Sequence, residues 1–135
     1  MSWSRRMVLG AGLAAAGAAV LPARAHPVYD LYDLTVELTM TGTVLRFEYA
    51  VPHSWLYISV IDDAGAEERW AFEMDPAPLL RRRGVDEGYW NEGDLVAVRA
   101  NPMKDGRMAG LLIAAISDKG NAFGEADGLE QPVAG

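Results

Sequence analysis

The sequence predicts an all-β domain, because its apolar residues recur with a period of two rather than 3.6. Alternating apolar and polar positions fill several short segments, and turn-forming glycine, proline and aspartate residues separate these segments. Only one stretch, residues 76–83, carries the start and stop signals of a helix. Together these three observations predict five strands and one short helix.

The first predicted strand runs from Leu34 to Met40, where large apolar residues alternate with threonine and glutamate. This pattern is typical of a half-buried strand. After Gly42 the phase changes, and Leu45 and Phe47 become the large residues. A glycine at such a switch predicts a bulge or a sharp bend in one long strand, which a small closed barrel requires.

Two further strands are predicted before the helix. Residues 54–61 are apolar at nearly every position and predict a central strand, which is followed by a turn at residues 62–65. Residues 68–74 alternate again. This alternation predicts an inward face of Trp70, Phe72 and Met74 and an outward face of Arg69, Ala71 and Glu73.

The helix is predicted over residues 76–83. Asp75 is expected to be its N-terminal cap and Pro76 its first residue, because aspartate and proline favour these two positions. Gly84 follows the last predicted turn, where glycine commonly ends a helix.

Residues 95–100 and 110–117 predict the last two strands, and the hairpin loop 101–106 between them contains an Asp-Gly turn signal. The tail from Asp118 is small and polar, and we expect it to be frayed. Five strands with one short helix between strands 3 and 4 form the element order of an OB-like β-barrel. A β-sandwich-like variant is the alternative.

The N-terminus predicts an export signal. Arg5-Arg6 precede an uncharged, glycine- and alanine-rich run over residues 7–21, and an Ala-Arg-Ala sequence ends at Ala25. Fifteen residues at about 1.5 Å each are too short to cross a hydrocarbon core of roughly 30 Å. These features predict a cleavable twin-arginine signal peptide, with an ordinary secretory signal as the alternative. We therefore expect a periplasmic protein without a stable membrane anchor after cleavage.

Cleavage would divide the chain into a signal, residues 1–25, and a single domain, residues 26–135. Three arginines leave with the signal, so nine basic residues face 19 acidic ones and the net charge becomes −10. Such a surface repels phosphate backbones and anionic lipids, so nucleic acid is not an expected partner. The chain has no cysteine, which excludes thiolate metal sites.

Several motifs resemble those of domain-of-unknown-function family six-one-five-two, a group of short exported bacterial proteins. The matching pieces span about Leu34 to Gly120, and they are Thr41-Gly42-Thr43-Val44, Pro52-His53-Ser54, Leu79-Leu80-Arg81-Arg82, Gly93-Asp94-Leu95-Val96 and Lys104-Asp105-Gly106. The resemblance implies a periplasmic location and a small β-barrel, and it supplies no reaction. Val51 stands where the family usually has asparagine, and His26 stands alone where the family often has two histidines.

His26 and His53 are the two histidines of the chain and the candidate metal ligands. Cleavage after Ala25 would give His26 a free amine beside its imidazole, and the ring of His53 would complete a three-nitrogen site of the kind copper favours. The alternative is that His26 is a mobile terminus and that His53 caps a turn through a hydrogen bond to backbone.

A second set of residues could bind an organic ligand. Trp55, Tyr89 and Trp90 could form an exposed stacking surface, and Arg82 could help to bind an anion. The alternatives are packing of the aromatic rings and a structural role for cations near the end of a helix. We find no nucleophile elbow, phosphate loop or zinc-protease helix, which favours a non-enzymatic protein. The sequence thus predicts an exported module that binds an unknown small ligand or an envelope protein, with copper binding or delivery as the alternative function.

Overall fold

The computed structural model describes residues 30–135, of which Tyr32–Gly135 form one compact unit. This unit contains six strands and one short helix, α1, which lies between the third and fourth strands. The elements are β1 (Leu38–Glu48), β2 (Ser54–Ile61), β3 (Glu67–Met74), α1 (Ala77–Arg82), β4 (Leu95–Pro102), β5 (Ala109–Ser117) and β6 (Ala122–Phe123).

The strands form one sheet in the order β3-β2-β1-β4-β5-β6, and a further pairing of β3 with β5 closes the first five into a barrel. The closing pair is parallel, whereas the other pairs are antiparallel. Closure removes the exposed edges that a short open sheet would present. The prediction of a small all-β, OB-like barrel with a helix between strands 3 and 4 is therefore confirmed.

The hydrophobic core fills the barrel with side chains from β1 to β5 and extends to α1 and the loop that follows it. Alternation along β2 buries Leu56 and Ile58, while the residues between them are only partly buried. Residues 54–61 therefore form a strand, as predicted, but only one face of β2 is fully buried. The largest fully buried apolar side chains are Trp90, Tyr32, Phe72, Leu56, Ile58 and Leu80.

The start of the first strand was placed too early by its sequence pattern. Leu34 and Val36 are 54% and 39% exposed, and β1 begins only at Leu38. The preceding residues form a local turn, in which the side chain of Asp33 accepts hydrogen bonds from the amide and the hydroxyl of Thr35. Such side-chain bonds compete with strand pairing, so the alternation there does not reflect a buried face.

Gly42 is not the site of the bulge. The register of β1 against β2 shifts between Val44 and Arg46, two residues later. A Cβ atom at position 42 would lie 2.4 Å from the backbone oxygen of Ser59, so this position requires glycine because two backbones approach closely there.

The helix also begins differently from the prediction. Pro76 is its N-cap, and no side chain caps the first turn. Asp75 accepts a hydrogen bond from Arg83 at 3.1 Å instead, which links the two ends of this short element.

The tail after β5 is not frayed throughout. Ala122–Phe123 form β6 against β5, and the ring of Phe123 is buried. Arg99 donates hydrogen bonds to the backbone oxygens of Glu125 and Asp127. Backbone pairing and burial of one aromatic ring hold this segment on the barrel, although its composition is that of a loop.

Asp94 holds the turn that leads into β4. Its buried carboxylate accepts hydrogen bonds from the Lys119 ammonium at 2.6 Å and from the Asn91 amide at 2.9 Å. Burial raises the pKa of the Asp94 carboxyl, but these hydrogen bonds and the charge of Lys119 outweigh burial and hold the pKa below its usual value. The ionised form therefore stabilises the folded state above the usual aspartate pKa, and this contribution is lost as the pH falls through the lowered value.

We expect Asp94→Asn to lower the free energy of unfolding by about 1–3 kcal/mol at pH 7, because a buried charged acceptor loses its bonds. The difference from the wild-type protein should begin to shrink below about pH 4, where the carboxyl of the unfolded chain takes up protons, and it should disappear as the pH falls through the lowered pKa of the folded state. Urea unfolding at pH 7 and pH 3 measures both values. Glu92→Gln is the matched control, since Glu92 is exposed two residues away and the charge change is the same. A difference that is independent of pH would contradict this account of Asp94.

Candidate metal-binding site at His53

His53 lies directly before β2, and its side chain is 41% exposed. Its Nδ1 atom is 3.0 Å from Oε2 of Glu73. A carboxylate can only accept a hydrogen bond, so Nδ1 carries the hydrogen. In the neutral ring the lone pair is then on Nε2, which is the nitrogen available to a metal ion.

Glu73 is buried, with 4% of its surface exposed, although it lies at an outward-pointing position of β3. It pairs with Trp55 on β2 and with Leu111 on β5, which places it at the seam that closes the barrel. The prediction that Glu73 points away from the barrel interior agrees with this register, but the side chain is buried and not exposed to solvent. The reason is a covering residue from the segment that precedes β1.

That covering residue is Tyr32. Its hydroxyl donates a hydrogen bond of 2.5 Å to Oε1 of Glu73, and its backbone bridges to Met103. The amide of Asp33 donates to the carbonyl oxygen of Pro102, which fixes the same segment against the end of β4. Both oxygens of the buried carboxylate therefore have a donor, His53 on one side and Tyr32 on the other.

Burial raises the pKa of the Tyr32 hydroxyl well above its usual value, and the hydrogen bond to Glu73 and the negative charge of Glu73 raise it further. The charge of Arg107 acts in the opposite direction and is the smallest of these effects. The hydroxyl therefore stays protonated and remains a donor to Glu73 throughout the neutral range.

His26, the other predicted metal ligand, lies outside the described residues. Among residues 30–135 no group of three or more histidine, aspartate or glutamate side chains is arranged to hold a metal ion. The described part of the chain thus offers a single oriented imidazole nitrogen, and any metal centre at His53 needs ligands from elsewhere.

The predicted stacking residues lie in different surroundings. Trp55 is half-buried on the outer face of β2 and stacks on Tyr57, with ring centroids 6.4 Å apart and planes at 25°. Arg46 lies over the same Tyr57 ring at 4.5 Å. Trp55 is paired with Glu73 across β2 and β3, and its ring remains partly accessible.

Tyr89 and Trp90 instead attach the tail to the barrel. Trp90 is 1% exposed, and its ring packs edge-on against Phe47 with centroids 5.0 Å apart. The indole nitrogen donates to the carbonyl oxygen of Asn121, and the Tyr89 hydroxyl donates to that of Ala122. Burial leaves Trp90 without a free face on which a ligand could stack, because the ring is enclosed by the core and by β6.

The arginines near the end of the helix are also arranged differently from a simple anion pocket. Arg82 is exposed on α1, while Arg83 and Arg99 line an open cavity of about 690 Å³ beside Phe123. Arg83 is paired with Asp75, and Arg99 is bonded to backbone oxygens of the tail. The guanidinium groups of this cavity therefore already have partners within the fold.

Sequence reasoning identified His53 but missed Glu73 and Tyr32 as its supports. Alternation along β3 gives the side of the strand on which Glu73 lies, and no local signal shows what covers it. Tyr32 lies 41 residues from Glu73 in the chain, so their contact is a property of the closed barrel.

Within the described residues no helix is long and apolar enough to span a membrane. Comparison with curated proteins and with solved structures gives no match for this chain. Comparison with protein families gives a match over residues 14–114 to a family that is described as a family of unknown function (DUF6152). This match covers most of the sequence, including both residues of the His53–Glu73 pair, and the chain therefore belongs to that family.

Proposed function

We propose that this protein is an exported binding module of the cell envelope and that it holds a copper ion through His53 and the mature N-terminal residue His26. The observation that supports this most strongly is the hydrogen bond from His53 Nδ1 to the buried Glu73 carboxylate. Histidines that bind metals commonly donate their second ring nitrogen to a carboxylate, which fixes the orientation of the ring.

Export and signal cleavage supply the remaining ligands in this proposal. Cleavage after Ala25 would give His26 a free amine and an imidazole, which form a compact two-nitrogen chelate. Copper has the highest affinity among the divalent first-row metals for such nitrogen ligands. The protein would bind the ion only after processing, so metal loading would be restricted to the envelope.

The length of the N-terminal segment is compatible with a shared site. Tyr32 is fixed beside Glu73, and His26 precedes it by six residues. Six extended residues span up to about 20 Å. The covalent link between His26 and the Tyr32 anchor therefore permits the amine to approach His53.

A second candidate function is the binding of a small organic ligand or an envelope protein on the outer face of β2. The stacked, partly accessible rings of Trp55 and Tyr57 favour it. The mature charge of −10 that cleavage would leave makes nucleic acid an unsuitable ligand for this face.

Titration of the mature protein with Cu(II) tests the copper proposal. Protein purified from periplasm should have an intact mass that begins at His26, and it should bind one Cu(II) per chain with nitrogen couplings in the electron paramagnetic resonance spectrum. We expect His53→Ala to weaken binding by on the order of 100-fold or more, because a metal ligand is lost. An extra glycine before His26 should also weaken binding, since it displaces the amine from the imidazole.

Trp55→Ala is the matched control, because it alters the same outer surface without removing a nitrogen ligand. A mature N-terminus at another residue would reject the copper proposal, as would Cu(II) binding that His53→Ala leaves intact. Loss of a bound ligand or partner in Trp55→Ala alone would favour the second candidate function.

A further inference from the structure

We infer that Glu73 is a positioning residue, which selects the ring form of His53 that can bind a metal ion and which joins this ring to the anchor of the N-terminal segment at Tyr32. The inference rests on the proposed copper function for its biological role. Its structural part concerns the orientation and the tautomer of His53, and this part can be tested without any metal.

Burial of the Glu73 carboxylate costs free energy, because the charged group loses its hydration. A buried carboxylate is stable only when hydrogen bonds and charges compensate for lost hydration. Among residues 30–135, the His53 ring is the only basic side chain within 4 Å of the Glu73 carboxylate. A hydrophobic residue at such a position often stabilises the fold at least as well as a buried ion pair does. We therefore attribute the presence of a carboxylate here to its effect on His53.

The hydrogen bond to Glu73 determines which nitrogen of His53 is free. Because Oε2 accepts the Nδ1 hydrogen, the Nε2 lone pair is directed away from the carboxylate on a ring that is partly exposed. Positive charge on a metal ion bound at Nε2 would be stabilised through the ring by the negative charge of Glu73. Such supporting carboxylates raise the basicity of the ligand, and their loss typically lowers metal affinity about 10–100-fold.

His53 and Tyr32 share the Glu73 carboxylate. Tyr32 occupies the other oxygen, and its backbone bridge to Met103 holds the segment that follows the mature N-terminus. One buried group therefore contacts both the oriented imidazole and the chain that leads back to His26. Removal of the Tyr32 hydroxyl should loosen this anchor while it leaves the bond between His53 and Glu73 in place.

The test compares Glu73→Gln with Glu48→Gln. Glu48 is a suitable control because it lies opposite Trp55 on the same outer face and accepts a hydrogen bond from the Tyr57 hydroxyl at 3.1 Å, without a histidine partner. In the metal-free protein, nitrogen-15 resonances of the neutral His53 ring should show that Nδ1, and not Nε2, carries the hydrogen. Glu73→Gln should reduce the population of this form, because a neutral amide can also donate to Nδ1, and Glu48→Gln should leave it unchanged.

The same variants are then titrated with Cu(II). We expect about 10–100-fold weaker binding in Glu73→Gln and little change in Glu48→Gln. Tyr32→Phe keeps the carboxylate, so the protonated Nδ1 should persist while the affinity falls by a smaller factor. This variant also keeps the inference testable if Glu73→Gln does not fold.

An unchanged His53 tautomer in folded Glu73→Gln would overturn the inference, and so would loss of the protonated Nδ1 in folded Tyr32→Phe. A wild-type protein that has the expected tautomer but binds no copper would reject the proposed function instead, and the positioning role of Glu73 would stand. The metal-free spectra therefore test the positioning role of Glu73, and the titration tests the proposed copper function independently.

Discussion

Trp90→Ala should lower the free energy of unfolding by about 3–5 kcal/mol, which is the range for removal of a large aromatic side chain from a core. Trp90 is fully buried and packs edge-on against Phe47, Tyr89 and Phe123. Its indole nitrogen also donates to Asn121, so the substitution leaves both a cavity and an unpaired carbonyl oxygen. Urea unfolding followed by circular dichroism measures the loss without dependence on tryptophan fluorescence.

Trp55→Ala is the control for this measurement, because the same atoms are removed from a partly exposed ring. Trp55 stacks on Tyr57 on the outer face of β2, and we expect its removal to cost roughly 1 kcal/mol. Equal losses in the two variants would show that Trp90 is not the aromatic residue that holds the tail on the barrel.

Gly124→Ala should reduce the free energy of unfolding by roughly 2–5 kcal/mol or release the tail from the barrel. Gly124 follows β6 with φ of +69°, and a Cβ atom there would lie 2.2 Å from the backbone oxygen of Ile113. The left-handed backbone alone costs an alanine roughly 1–2 kcal/mol, and the clash adds about 1–3 kcal/mol. Urea unfolding gives the loss, and limited proteolysis reports release of the residues after β5.

Gly128→Ala separates these two contributions. Gly128 has a similar φ of +89°, but the nearest atom to its Cβ would be Nη2 of Arg99 at 3.6 Å, an ordinary contact. We therefore expect only the left-handed backbone term, about 1–2 kcal/mol, and no increase in proteolysis. A larger loss in Gly128→Ala than in Gly124→Ala would mean that the close approach of Gly124 to β5 does not govern the attachment of the tail.

The barrel could be predicted from the sequence where local pattern and turn chemistry agree. The predicted bounds of β2, residues 54–61, are those of the structure, because an apolar segment there meets a turn that begins with Asp62. The same reasoning failed at Leu34 and Val36, whose spacing imitates a strand although Asp33 and Thr35 form a side-chain turn. Alternation shows which residues share a face, and it does not show whether that face is covered.

The candidate site shows the same limit more clearly. His53 could be identified because histidines are rare in this chain and suit a metal ion, but its partner Glu73 is 20 residues away and on another strand. For Trp90 the sequence left an exposed and a packed ring as alternatives, and the ring is buried because Asn121 and Phe123 return to it from the tail. These contacts depend on closure of the barrel and on packing of both ends of the domain, which a local pattern does not contain.

The seam between β3 and β5 links the stability of the barrel to the orientation of the His53 ring. It consists of three parallel residue pairs, and Glu73 with Leu111 is the last of them. Parallel pairing is slightly weaker per residue than antiparallel pairing, so we expect local opening of the barrel to begin at this short seam. Opening of this seam would separate Glu73 from Tyr32, which covers it. A ligand that binds only the oriented His53 ring would therefore stabilise the closed barrel.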